Sequence, residues 1–178
     1  MSDAPLYERD PAAWAKHLAD GNAAQARKRV SADALVRDAA GRILIVDPTY
    51  KPGWDLPGGM AEANEAPDNA LRRELREELG IDLTVGRLLC VDWVPPHGPW
   101  DDLLAFEFDG GTLTPDQVDE LRVVDDEIAE FAFCAVDQLD GVLPERLARR
   151  VQCALDVLVG SDPAVYLADG RLPGARLL

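Results

Sequence analysis

Three glutamates, Glu74, Glu77 and Glu78, crowd the short segment Arg73-Glu74-Leu75-Arg76-Glu77-Glu78-Leu79-Gly80-Ile81. The segment reads as the end of a helix over 67–79, opened by Pro67 and closed by Gly80 as a left-handed cap. With ~100° per residue and Glu74 at 0°, Glu77 falls near 300° and Glu78 near 40°. Leu71, Leu75 and Leu79 fall at about 60°, 100° and 140°. The carboxylates therefore border the apolar seam that must face the core. Like charges so placed repel, and the repulsion raises carboxyl pKa values. A divalent cation neutralises such a fan, because Mg²⁺ prefers oxygen donors and keeps several waters. Arg73, next to Glu74, can neutralise and orient part of it. Taken alone, three acids fit a solvated helix face better than a metal site.

The upstream spacing reverses that balance. Gly59 is followed by five residues and Glu65, then by seven residues and Arg73. Residues 59–81 thus read G-x5-E-x7-R-E-U-x-E-E-x-G-U, with U aliphatic. This is the Nudix box, and the sequence resembles the Nudix hydrolase family at every defining position. Seven of those positions demand one residue type. At ~7% usage per type, chance agreement is of order one in 10⁸ per starting point. Strand order, Trp54-Asp55-Leu56-Pro57 before the glycines and Glu127-Ile128 before a late strand extend the resemblance over about residues 30–158.

The resemblance implies an α/β fold, a Nudix-type α/β/α sandwich with a mixed β-sheet. It implies hydrolysis of a nucleoside diphosphate linked to another group, with water attacking phosphorus and the pyrophosphate bond breaking. It assigns Glu77 and Glu78 to metal binding, with Mg²⁺ as cofactor and Mn²⁺ as a substitute. Glu74 becomes a ligand or base, Arg73 the residue that orients the cluster, and Glu65 a supporting carboxylate. A backbone carbonyl of the glycine pair, assigned to Gly58, completes the metal shell. Departures are small. Asn64 stands where glycine is common but tolerates the left-handed conformation. Ala66 precedes Pro67 where Ser or Thr would cap better.

Outside the box, Glu127 is a second candidate ligand or base, set against a plain strand-end carboxylate. Lys51 is a candidate phosphate contact. His97 and Trp100, in the loop Pro95-Pro96-His97-Gly98-Pro99-Trp100, are candidates for stacking a base. Trp93 reads as core. Arg27-Lys28-Arg29 reads first as a cluster at the negative end of a helix and second as an approach to an anionic substrate. Trp14 reads as a packing anchor within the chain or to a second copy, which makes a homodimer a further expectation. Cys90 reads as a core thiol.

Several elements must hold these groups in place. Asp10-Pro11 predicts a first helix ending at Gly21-Asn22, with a further turn or two over 23–29. Strands are expected over 31–37, 42–46, 88–94, 103–108 and 128–135, and a last helix over 144–159 with Leu147, Val151, Leu155 and Leu158 on one face. Asp169-Gly170 predicts a hairpin turn between Val165-Tyr166-Leu167 and Arg171-Leu172. The expected organisation is an N-terminal helical arm (1–29), a catalytic domain (30–160) and a tail (161–178).

The chain has 178 residues, enough for one domain with arms. Its net charge of −15 argues against sequence-independent binding to long nucleic acid or anionic lipid. A small nucleotide-type substrate remains compatible, because divalent cations bridge carboxylates and phosphates. Three scattered cysteines and the absence of an apolar run predict a cytoplasmic protein without a membrane span. Two readings compete with hydrolysis. One is a non-catalytic Nudix-fold nucleotide-binding or regulatory module, disfavoured because every acidic box position is filled. The other is a prenyl diphosphate isomerase, for which Cys90 would be the sole cysteine near enough in order.

Overall fold

The computed structural model describes residues 4–160 and 162–174. Two helices, α1 (Leu6–Arg9) and α2 (Pro11–Ala24), form the N-terminal arm. Asp10 caps α2 by accepting from the Ala13 amide at 2.9 Å, and Pro11 takes the first helical position. The helix runs through Gly21-Asn22 to Ala24. The chain then turns extended at Gln25, so Arg27 and Lys28 are not a helix-end cluster, and Arg29 already opens the first strand. Neither arm helix buries a residue. Trp14 packs against Tyr7 and His17 of the arm itself, at centroid distances of 6.2 and 5.4 Å.

The strands are β1 (Arg29–Arg37), β2 (Ile43–Pro48), β3 (Gly58–Met60), β4 (Leu88–Val94), β5 (Leu103–Thr112), β6 (Ile128–Cys134) and β7 (Val165–Ala168). They join one seven-stranded mixed sheet in the order β6-β2-β1-β5-β4-β7, with β3 on β1. β1 runs parallel to β5 and antiparallel to both β2 and β3. Its outer edge is therefore shared, with β2 at its C-terminal end and β3 opposite Ser31, Ala32 and Asp33. The tail makes one antiparallel bridge, Ala168 to Arg171, around Asp169-Gly170. Its strand β7 goes to the main sheet, parallel to β4. Residues 175–178 lie outside the described residues.

Strand alternation sends apolar side chains to both faces, because successive side chains point to opposite sides. Ala32, Ala34, Val36 and Leu44 pack with Leu71, Leu75 and Leu79 of helix α3 (Pro67–Leu79). Leu35, Ile43, Ile45 and Leu89 pack with Val151, Ala154 and Val157 of the last helix, α6 (Glu145–Val159). One helix layer on each face makes the α/β/α sandwich. Helix α4 (Pro115–Glu120) is capped by Thr114 and Gln117 in a reciprocal capping box. A single 3₁₀ turn (Val136–Gln138) and the short α5 (Leu139–Val142) lead into α6. Among the described residues no helix is long and apolar enough to cross a membrane.

The candidate active site at the box

Helix α3 starts at Pro67 without a side-chain cap on Ala66 and ends on Gly80 in the left-handed conformation. Between them, the leucine seam anchors the helix against β1 and fixes its rotation. The glutamates then follow a gradient. Glu77 is half exposed, Glu74 is partly buried and Glu78 is only 5% exposed. Burial pushes the Glu78 carboxyl up to about 8, helped by Glu74, Asp125 and Glu127 and opposed by the Gly58 amide. Burial also raises Glu74, against the pull of Arg73.

The glycine pair lets β3 enter this space. A Cβ on Gly58, whose φ is +138°, would stand 2.2 Å from the Ala32 carbonyl oxygen. A Cβ on Gly59 would stand 2.6 Å from the Glu74 carboxylate. The first glycine permits pairing with β1, and the second makes room for a glutamate. The Gly58 amide donates to Glu78 at 3.3 Å, which ties strand to helix. Asn64 takes a φ of +64° in the connecting loop, as expected of asparagine there.

Arg73 organises the outer side. It donates to Glu65 at 3.1 and 2.9 Å, to Glu74 at 2.9 Å, to Glu77 at 3.0 Å and to the Met60 carbonyl at 3.1 Å. Glu65 is held below its ordinary value by the Arg73 hydrogen bond and accepts from the Glu62 amide at 2.8 Å. Glu74, Glu78 and the Gly58 carbonyl are hard oxygen donors that suit Mg²⁺. Among the described residues no three His, Cys, Asp or Glu side chains converge as a ready metal cage. Arg73 meanwhile occupies Glu74 and Glu77.

The segment after α4 closes the far end. The amides of Arg122 and Val124 bond the carbonyls of Leu79 and Glu78 at 3.3 and 3.0 Å. Glu127 then lies close enough for its charge to act on Glu74 and Glu78. Its carbonyl accepts from the Thr49 amide at 2.8 Å. Asp125 acts on Glu78 in the same way, and sequence reasoning did not single it out. Its signal was the acidic run Asp125-Asp126-Glu127.

The three candidate substrate contacts lie outside the box, and the charge of Lys51 acts on Asp33, which also feels Glu74. Lys51 is paired with Asp55 and stands 5.7 Å from the Tyr50 ring. His97 and Trp100 close a tight turn on each other. His97 Nδ1 lies 3.0 Å from the Pro95 carbonyl oxygen. Trp100 is 56% exposed, with the Arg29 guanidinium 4.6 Å from its ring centroid. Trp93 is only partly buried, and its indole donates to Asp102 at 2.7 Å. Cys90 is fully buried beside Glu107, which together with burial pushes its thiol well up. That is a core thiol rather than a reactive one.

A second buried charge cluster escaped the sequence reading. Arg150 of α6 donates to Asp33 of β1 at 2.8 Å. Its Nε lies 3.2 Å from Glu107 of β5 without hydrogen-bond alignment, so this is a charge contact. Burial pushes Asp33 up to about 6 and Glu107 up to about 7, with Arg150 opposing both shifts. Asp33 is the register partner of Gly58. The cluster therefore connects α6 to β1, the strand that pairs with the glycine-bearing β3.

The fold and the carboxylate helix define a class, and the comparisons agree with it. The NUDIX domain model matches residues 27–155. The chain belongs to the Nudix family. It is 31% identical over 128 residues to a MutT-like protein of Streptomyces ambofaciens, a match covering 65% of this chain and 79% of that one. It is 58% identical over 36 residues to the 8-oxo-dGTP diphosphatase of Proteus vulgaris, covering 20% of this chain and 32% of that one. The chain thus spans about a third of the length of that relative. Among solved structures, a UDP-X diphosphatase superposes with a TM-score of 0.67 at 25% identity. That match covers 93% of this chain and 76% of the other.

Proposed function

We propose that this chain is a divalent-metal-dependent pyrophosphohydrolase that cleaves the diphosphate of a nucleoside diphosphate linked to another group. The observation that carries the reading is Glu78. A carboxyl 5% exposed, beside a second desolvated glutamate, is costly unless a cation or proton joins it. The nearby arginine cannot serve, because Arg73 bonds Glu65, Glu74, Glu77 and a carbonyl, and not Glu78.

Glu74, Glu78 and the Gly58 carbonyl are proposed to hold Mg²⁺ or Mn²⁺, with Glu77 at the exposed edge. The ion supplies charge neutralisation on the phosphate oxygens and acidifies water. Arg73 keeps Glu74 and Glu77 in one orientation. Glu65 fixes Arg73 in turn. Glu74 is proposed to orient the attacking water and accept its proton, and Glu127 is the second-line candidate for that role. Lys51, His97 and Trp100 are proposed substrate contacts from the flanking loops. The names of the relatives, an 8-oxo-dGTP diphosphatase and a UDP-X diphosphatase, support a small nucleotide-type substrate. The cytoplasm is the proposed compartment.

The test is a panel of ADP-ribose, NADH, dinucleoside polyphosphates, nucleotide sugars and oxidised nucleoside triphosphates, each with Mg²⁺ or Mn²⁺. Phosphate is read after phosphatase coupling. Hydrolysis of at least one compound is expected. Binding without turnover across the panel would favour the regulatory module instead.

A further inference from the structure

Gly58 stands at the end of a row that runs straight across the sheet. It pairs with Asp33 on β1, Asp33 pairs with Glu107 on β5, and Glu107 pairs with Cys90 on β4. At the Gly58 end the contact is backbone on backbone. A Cβ there would lie 2.2 Å from the Ala32 carbonyl oxygen and 2.8 Å from the Asp33 Cα. The Ala34 amide also donates to the Pro57 carbonyl at 2.9 Å. With no side chain between the strands to absorb it, a shift of β1 at Asp33 passes to Gly58 and to its 3.3 Å bond with Glu78.

Asp33 and Glu107 place two buried carboxylates side by side on neighbouring strands. Like charges so placed repel, the more strongly for lack of water. Glu107 Oε1 has no hydrogen-bond partner among the described residues, and the nearby Asp92 adds a further negative charge. Arg150 stands between the two, 2.8 Å from Asp33 and 3.2 Å from Glu107. It interrupts an otherwise apolar buried stripe of α6, formed by Leu147, Ala148, Val151, Ala154 and Val157. Well-packed apolar side chains in place of a buried ion cluster are often as stable or more so. Stability alone therefore gives α6 no reason to carry an arginine here.

We propose that Arg150 is a positioning residue for the metal site. By clamping Asp33 to Glu107, it fixes the part of β1 that holds Gly58 beside Glu78. This deepens the hydrolase reading and rests on its assignment of Glu78 and the Gly58 carbonyl to the cation. Arg150 acts only through Asp33 and the paired strands.

The experiment follows the Gly58 amide resonance of the metal-free chain and calorimetric binding of Mn²⁺, both well below the unfolding temperature. Val151→Ala, which opens a cavity on the same face of α6, is the control for lost stability. Arg150→Met should move the Gly58 amide and weaken Mn²⁺ binding by about tenfold, the scale of losing a partner behind a metal ligand. Adding Glu107→Gln removes the like-charge contact and should recover part of both changes. Arg150→Lys keeps the charge but loses the fork that reaches two carboxylates, so it should show the same changes to a smaller degree. It carries the decision if Arg150→Met does not fold. Val151→Ala should lower Tm and leave both readouts at wild type. An unmoved Gly58 amide in the Arg150 variants overturns the proposal, as does an equal change in Val151→Ala. A wild type that binds no Mn²⁺ defeats the metal reading instead, and the Gly58 amide still decides the positioning.

Discussion

Glu78 and Glu74 differ from the surface carboxylates because helix rotation and the glycine pair control how much water reaches them. That makes the two glycines separable by experiment. The nearest atoms to an Ala side chain at Gly59 are the end of the Glu74 side chain, which can move aside. Gly59→Ala should therefore lower turnover and leave Tm nearly unchanged. Ala at Gly58 meets β1 backbone and must adopt a φ of +138°. Gly58→Ala should lower Tm by several degrees, the scale of roughly 1–3 kcal/mol of strain. Equal thermal shifts in the two variants would contradict these roles. The base is separable too. Glu74→Gln should lose more turnover than Glu127→Gln, because Glu74 shares the helix face of Glu78. A defect that persists at saturating Mg²⁺ marks the base, and one that more Mg²⁺ rescues marks a ligand. A larger persistent defect in Glu127→Gln would move the base to the loop.

At the scale of elements, α6 is held by more than its apolar stripe. Arg150 bridges β1 and β5 from within the core. Removing one partner of a buried ion pair costs about 3–5 kcal/mol, because the remaining charges lose their compensation. Arg150→Met should destabilise by that amount in denaturant unfolding, and adding Glu107→Gln should recover part of it. A loss under about 1 kcal/mol would show the pairing to be dispensable. Helix α3 was legible to its end residues, because Pro67, the leucine spacing and Gly80 all act locally. The same holds for β4, whose bounds match the expected 88–94. Helix α4 was missed although Thr114-Pro115-Asp116-Gln117 carries a capping box. Of the helical turn expected over 23–29, only Ala23 and Ala24 are helical, residues 25–28 belong to no element, and Arg29 joins the sheet because it and Val30 pair with Leu103 and Leu104. Such partners lie too far along the chain for a local pattern to show. The same limit hid Arg150, whose partners are 117 and 43 positions away. The box residues were legible because their spacing is a local property of one loop and one helix.

For the whole molecule, buried carboxyls set the response to pH. Asp33 and Glu107 have folded-state values raised to about 6 and about 7. A raised group contributes stability fully below its unfolded value, and that contribution is lost as pH rises through its folded value. The accumulating negative charge of a chain at −15 acts in the same direction. Tm should therefore fall between pH 5 and pH 8. Glu107→Gln, which removes one of the titrating groups, should make that slope shallower. An unchanged slope would show that Glu107 does not titrate in this window.

The central claim is that the Glu78 pocket works with a divalent cation to cut a diphosphate. It is tested most directly by one measurement: turnover of the best substrate by wild type and Glu78→Gln, in chelator and after Mg²⁺ is restored. The account predicts no wild-type turnover in chelator and full recovery with Mg²⁺. It predicts a loss of ~10²-fold or more in Glu78→Gln at every Mg²⁺ concentration, the scale of removing one preorganised electrostatic group. Full activity in chelator, or near wild-type turnover in Glu78→Gln, would contradict it.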